Sequence, residues 1–252
     1  MIGDASNLSS RAIQLGFLAL LVGAWQLLSS LGTISPLLLP SPDSVRIAFV
    51  KLVESGQFWS SLRVTGSTVL QAWAIAMIAG SAAAYAITRS RFLVAVFEPV
   101  IAGIFAIPLT LLFPLYILFL GIGPSSKVAY AATYGFFPVA LNAIAGFSAV
   151  KEHYLRAAHS MGASAFATFR HVMLPASFPI ILTGIRISFF ITFASVLGGE
   201  TLSSVTGIGK RIALAAELME PAEMFAWIVF VIVFSVATNM VLSMLESRAS
   251  AQ

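Results

Sequence analysis

The chain has 252 residues, of which 59% are hydrophobic and only 10% charged, with a formal net charge of +4 and a mean hydropathy of +0.96. A soluble domain carries about 25% charged residues, so this chain lacks the polar surface to cover a water-soluble globule, and it is too apolar to be disordered. The absence of cysteine excludes disulfides and thiolate metal sites, three histidines exclude a histidine cage, and the positive balance fits loop charges beside a lipid bilayer rather than a nucleic-acid partner.

Charges divide the chain into spans. The first apolar run is Ala12 to Leu31, and no cleavage site follows it, so it is expected to remain as an anchor. A long connection over about 32–62 follows. In it Ser41 can cap a helix, Pro42 suits the first helical position, Gly56 can end the helix, and Val45, Ala48, Phe49, Leu52 and Val53 share one face. This reads as an amphipathic helix lying at the interface. Uncharged runs of 25, 28 and 23 residues come next, Val64 to Thr88, Pro99 to Ser126 and Val128 to Val150. Short turns at Arg89 to Glu98 and Gly121 to Ser126 separate them. The fifth span, Phe178 to Leu197, contains Arg186, which is expected to snorkel or pair. The sixth is Met224 to Leu245. About 20 apolar residues cross a bilayer, so the expectation is an all-α polytopic membrane protein with six transmembrane helices in a single domain, 1–252. With both termini cytoplasmic, eight Lys and Arg lie inside against six outside, and the positive-inside bias favours that orientation.

The second long connection, about 148–177, is then cytoplasmic. Glu152 to Met161 is helix-forming and stops at Gly162, Ser164 can cap a second short helix through His171, and Leu174-Pro175 ends that one. Two short helices would present a compact knob. Ala157 and Ala158 allow close approach of a partner, and Tyr154, Leu155 and Met161 offer apolar contact, which points to a protein partner.

Within the spans, Ala72, Ala76, Gly80 and Ala84 repeat every four residues as a close-packing seam. Gly184, Ser188, Thr192, Ser195 and Gly199 also share a face. That face suits packing or a pore, and its hydroxyls favour the pore, since they gain nothing from lipid. Asn142 is a buried amide suited to joining helices, Pro108 and Pro114 mark a kink or moving gate, and Glu200 falls near the outer boundary as a gate residue or a solvated helix end. Translocation-path candidates are therefore Pro108, Asn142, Ser188, Thr192, Ser195 and Glu200. No catalytic set is present. The stretch Gly209-Lys210 resembles a phosphate-binding loop only superficially: Ser204 stands where glycine is needed, and Arg211 where Ser or Thr is needed. Any ATP hydrolysis must come from another chain.

The loop resembles the signature of permeases of binding-protein-dependent ABC importers: Ala157-Ala158, then Gly162, then Val172 with Leu174-Pro175. Arg156 departs from the family's usual Glu. Leu38-Leu39-Pro40-Ser41-Pro42, Phe113-Pro114, Phe119 to Gly123, Leu182 to Arg186, Glu200 and Gly207-Ile208-Gly209 look like the sulfonate, taurine and nitrate branch. The resemblance implies the type I ABC importer permease fold and a homodimer in a bacterial inner membrane. It also implies two cytosolic ATPase subunits, an extracytoplasmic solute-binding protein and a small anionic solute. No cofactor is expected on this chain, with ATP and Mg on the ATPase. The coupling loop would contact that ATPase through Tyr154, Arg156, Ala157, Ala158, Met161 and Gly162, closed by Leu174 and Pro175, with an acidic or carbonyl partner on the ATPase for Arg156. A self-sufficient channel or secondary carrier is the competing reading. It is disfavoured because the spans carry almost no ionisable residues.

Overall fold

The computed structural model describes residues 2–32 and 34–250. Eleven α-helices follow one another: α1 (Ile2–Ser30), α2 (Pro42–Glu54), α3 (Gln57–Ile87), α4 (Arg91–Phe105), α5 (Phe113–Leu120), α6 (Pro124–Ser148), α7 (Glu152–Ser160), α8 (Ala165–Thr168), α9 (Leu174–Leu202), α10 (Ile208–Glu217) and α11 (Pro221–Ser250). A 3-10 turn, Leu109–Leu112, precedes α5, and a π-helical turn, Phe169–Met173, joins α8 to α9. Among the described residues four helical stretches are long and apolar enough to cross a membrane: Gln57–Ile87, Pro124–Ser148, Ala165–Leu202 and Pro221–Met244. A fifth crossing is possible through the pair Arg91–Phe105 and Leu109–Leu120, bent by 77°. The apolar described part of α1, Gly16–Ser30, is shorter.

The chain forms two compact units. One comprises Met1–Trp59 with Arg211–Val231. Here Ser41 caps α2, its Oγ accepting from the Ser44 N–H at 3.2 Å, and Gly56 ends the turn after α2 at φ +74°, as the sequence predicts. Trp25 Nε1 donates to Pro40 O at 2.9 Å. Phe58 packs against Phe49, Trp59, Trp227 and Phe230.

The other unit comprises Ser60–Lys210 with Ile232–Gln252. Its core is where α6 meets α9 and α3, with Ala84, Phe137, Ala140, Ala143, Ile144 and Ile181 buried together. The small-residue seam of α3 packs as expected. Ala72, Ala76 and Ala84 are fully buried, and a Cβ at Gly80 would lie 2.8 Å from Val139 Cβ. Only small side chains let helix backbones approach this closely.

Three boundaries differ from the sequence reading. The uncharged run Pro99 to Ser126 is not one straight span: Pro108 sits between α4 and the 3-10 turn with ψ 82°, while Pro114 starts α5, where a missing N–H is harmless. Glu98 belongs to α4 and not to a turn, because an exposed charge is tolerated on a helix surface. Leu174-Pro175 does not end a helix. The π-turn runs directly into α9 with Pro175 at its start, giving a continuous helical stretch Ala165–Leu202.

Candidate functional site

The connection between α6 and α9 folds into the expected two-helix knob. Glu152–Ser160 is helical, and Gly162 takes φ +76°. The Gly162 N–H donates to His159 O at 2.9 Å and the Ala163 N–H to Ala158 O at 3.0 Å. This paired arrangement satisfies the last carbonyls, and it needs a left-handed residue that only glycine supplies without strain. Ser164 then caps α8, accepting from the Ala167 N–H at 3.2 Å.

The knob has two faces. Tyr154, Arg156, Ala157, Met161 and Phe166 are exposed, Met161 to 87%. Ala158 is buried at 8%, and Leu155 is half-buried. Ala158 therefore faces its own chain. The sequence reading placed both alanines outward because adjacency in sequence hides the 100° step between neighbouring helical residues. Phe166, which the sequence reading passed over, joins the open face. Arg156 lies 3.1 Å from Glu152 Oε1, one turn back, and Arg91 lies 3.7 Å from Glu152 Oε2.

The knob is tied to the spans by rings. Phe169 in the π-turn packs on Tyr85 of α3 at 4.4 Å between centroids and on Phe147 of α6 at 5.8 Å. Leu174 and Pro175, both exposed, open α9. A displacement of α8 therefore has a stiff route into α9 and a packed route into α3 and α6.

The small-polar stripe of α9 is not open to water. Ser188 and Thr192 are fully buried, and Ser195 is 8% exposed. Ser188 Oγ donates to Gly135 O at 2.8 Å, and Ser195 Oγ to Ile191 O at 2.7 Å. Gly184 abuts α6 so closely that a Cβ there would lie 2.5 Å from Asn142 Cβ. Asn142 donates to Pro138 O at 2.8 Å, within its own helix. These residues form a helix-packing seam, with Ser188 and Thr192 covered by α6. Pro108 is exposed at the bend.

Glu200 is neither solvated nor at a free helix end. It is 1% exposed and closes a buried network: Thr65 Oγ1 donates to its carboxylate at 2.9 Å, and the Gly209 N–H donates to Oε2 at 2.9 Å. Thr65 Oγ1 also accepts the Ile208 N–H at 2.9 Å. The carboxylate thus caps the first turn of α10, a favourable place for negative charge. The glycines of Gly207-Ile208-Gly209 explain themselves, since a side chain at 207 would overlap the Glu200 carboxylate. Nearby Lys127 is 5% exposed and donates to Gly123 O at 3.0 Å. Arg186 pairs with Glu246 at 2.7 Å, as one of its two expected fates, and Thr183 Oγ1 also donates to Glu246.

Residues 75–251 match the family described as binding-protein-dependent transport system inner membrane component. The chain belongs to this family. It is a permease subunit of an ABC transport system, a multi-pass membrane protein and not an enzyme. Membership decides against the self-sufficient channel or carrier. The taurine transport system permease protein TauC of Escherichia coli K12 is 28% identical over 241 residues, covering 94% of this chain and 88% of that protein. The putative aliphatic sulfonates transport permease protein SsuC of the same strain is 30% identical over 200 residues, covering 79% and 76%. Among solved structures, the MetNI methionine ABC transporter in an inward facing conformation aligns with TM-score 0.61 at 16% identity over 76% of this chain and 93% of that one. An amino acid ABC transporter solved with histidines aligns with TM-score 0.59 at 19% identity over 79% and 95%. These likenesses support the type I permease fold.

Proposed function

We propose that this permease imports a small organic sulfonate, taurine or an aliphatic sulfonate, across a bacterial inner membrane. In this reading the whole chain acts as one transmembrane domain with six spans, counting α1 and the bent pair, and both termini are cytoplasmic. Two copies form the pathway, two cytosolic ATPase subunits bind ATP and Mg, and an extracytoplasmic binding protein delivers the solute. The substrate class is supported by the taurine and aliphatic sulfonate transport systems to which the relatives at 28% and 30% identity belong.

The observation that carries the coupling role is the knob: an exposed apolar face of Tyr154, Met161 and Phe166, of which Phe166 stands on the helical stretch Ala165–Leu202 that continues into α9. An exposed apolar patch on a loop marks a docking surface. Closure of the ATPase pair around ATP would push this face, and the π-turn with its Phe169 rivets would pass the push to α9, α3 and α6. Two global states biased by nucleotide then alternate the side to which the path opens.

The test is uptake by the assembled transporter in proteoliposomes, with ATP inside and the cognate binding protein outside. Taurine or ethanesulfonate uptake that needs ATP supports the reading. Uptake of a neutral sugar in preference to either sulfonate overturns the substrate class.

A further inference from the structure

The translocation path requires a lining, and the α9 stripe is buried beneath α6. A different polar row is open. On α3, Arg63, Ser67 and Gln71 stand four residues apart, followed by Ile75 and Ala79, and all five are exposed. Each step climbs about 6 Å along the helix. Gln71 is the fifteenth of the 31 residues of α3, at mid-span. A primary amide without a partner in hydrocarbon is costly there. Among the described residues neither Gln71 nor Ser125 has a side-chain hydrogen bond, and Arg63 has no ion pair.

From Gln71 the row enters an open groove of about 600 Å³ between α3 and α6, whose walls include Ile75, Ser125, Ala129, Thr133 and Phe136. Thr133 Oγ1 donates to Ala129 O at 2.9 Å and accepts from Tyr116 Oη at 3.0 Å. The Gln71 amide is therefore the open donor at mid-span. No acidic residue is among the described residues that line the groove.

We propose that this groove is the surface along which the solute anion crosses, with Arg63 at its mouth and Gln71 as the mid-membrane contact. The inference rests on the importer reading above. A guanidinium at the mouth raises the local anion concentration. Neutral donors beyond it hold an anion without trapping it, which conduction requires. Apolar walls of Ile75, Ala129 and Phe136 accommodate the short carbon chain of an organic sulfonate.

The test exploits the cysteine-free sequence. Gln71→Cys, Ile78→Cys and Ser188→Cys are each assembled with ATPase and binding protein in proteoliposomes. They are treated with the sulfonate-bearing anion 2-sulfonatoethyl methanethiosulfonate or its trimethylammonium counterpart, and adducts on the permease are read by mass spectrometry. Ile78, 73% exposed on α3 but outside the lining of the groove, is the exposed apolar control, and buried Ser188 is the packing control. The expected result is labelling of Gln71→Cys on the order of tenfold faster than either control, with the anion preferred once both reagents are normalised to a free thiol. Labelling as slow as at Ile78→Cys, which is the outcome if lipid or a second permease copy covers the groove, overturns the proposal, as does a preference for the cation. Taurine uptake by the unsubstituted transporter is measured alongside. Uptake without labelling overturns only the groove, whereas labelling without ATP-driven uptake of either sulfonate overturns the importer's substrate class and leaves the groove as an anion surface.

Discussion

Gly135→Ala adds one methyl group where α3, α6 and α9 converge. Its Cβ would sit 2.9 Å from Ser188 Oγ and 3.0 Å from Ala76 Cβ, and closer still to Thr192 Oγ1. Two of these neighbours are fully buried on α9 and the third on α3, so none has solvent to move into. Relieving the overlap requires α6 and α9 to part by roughly 0.5–1 Å, which forfeits a quarter to a half of each dispersion well along the seam. Overpacking of this kind costs about 1–3 kcal/mol, and lengthening the Ser188–Gly135 hydrogen bond adds about 1 kcal/mol. The sum, about 2–4 kcal/mol, corresponds to a fall in Tm of roughly 5–15 °C for a chain of this size. Among the described residues Thr192 Oγ1 has no hydrogen-bond partner, so Thr192→Ala removes the closest clash without orphaning another group. The double variant Gly135→Ala with Thr192→Ala is expected to recover at least about 1 kcal/mol relative to additivity, as neighbours sharing one space do. Thermal unfolding of the purified permease in detergent, single and double variants side by side, measures this. A Gly135→Ala shift below about 0.5 kcal/mol, with strictly additive behaviour, would refute the claim that the polar stripe is a packing seam.

Thr65→Val keeps the shape but takes a donor from Glu200 and an acceptor from the Ile208 N–H. About 2–4 kcal/mol of destabilisation is expected in the same assay, with Thr65→Ser close to the parent. Arg186→Met removes the guanidinium beside a largely buried Glu246 and is expected to lose about 1–3 kcal/mol; a wild-type Tm would show that the pair contributes nothing. Gly162→Val forces a β-branched residue to φ +76° and strains the turn by roughly 1–2 kcal/mol, so taurine uptake is expected to fall while membrane insertion persists. Ala158→Trp is expected to lower the Tm of the isolated permease, whereas Ala157→Trp is expected to leave that Tm unchanged and release the ATPase on co-purification. Equal behaviour of the two alanine variants would contradict the assignment of faces.

Much of the fold was legible because its punctuation is local. Ser41 and Ser164 cap helices through hydrogen bonds three residues long, and Gly56, Gly121 and Gly162 turn the chain where only glycine is unstrained. These features are written within a few residues of where they act. The bend at Pro108 was harder to place, because an apolar run has the same composition whether it crosses straight or breaks. The buried network of Glu200 was out of reach. Its donor Thr65 lies 135 residues away, and no periodicity or charge spacing in a single sequence joins two positions that far apart. Reading Glu200 as a gate residue or a solvated helix end followed from its place at the edge of an apolar run; its burial is explained by three-dimensional partners alone.

The α9 stripe takes the packing alternative in this conformation. A hydroxyl in a membrane span needs a polar partner, and water in a pore is one such partner. A second possibility satisfies the same chemistry, since backbone carbonyls are polar too. Ser188 reaches Gly135 O and Ser195 reaches Ile191 O, so these two serine hydroxyls are satisfied by backbone, whereas Thr192 Oγ1 is buried with no partner among the described residues, and the small size of all three lets α6 and α9 close on one another. The pattern of serine, threonine and glycine at helical spacing therefore identifies a tight interface before it identifies a pore. Gln71 poses the opposite case. Its amide is long, exposed and has no hydrogen bond within the described chain, and it stands on a helix whose own seam, Ala72, Ala76 and Ala84, packs on a different face. Size separates the two roles: small hydroxyls disappear into helix contacts, whereas a large amide left exposed at mid-span needs a partner from outside the fold.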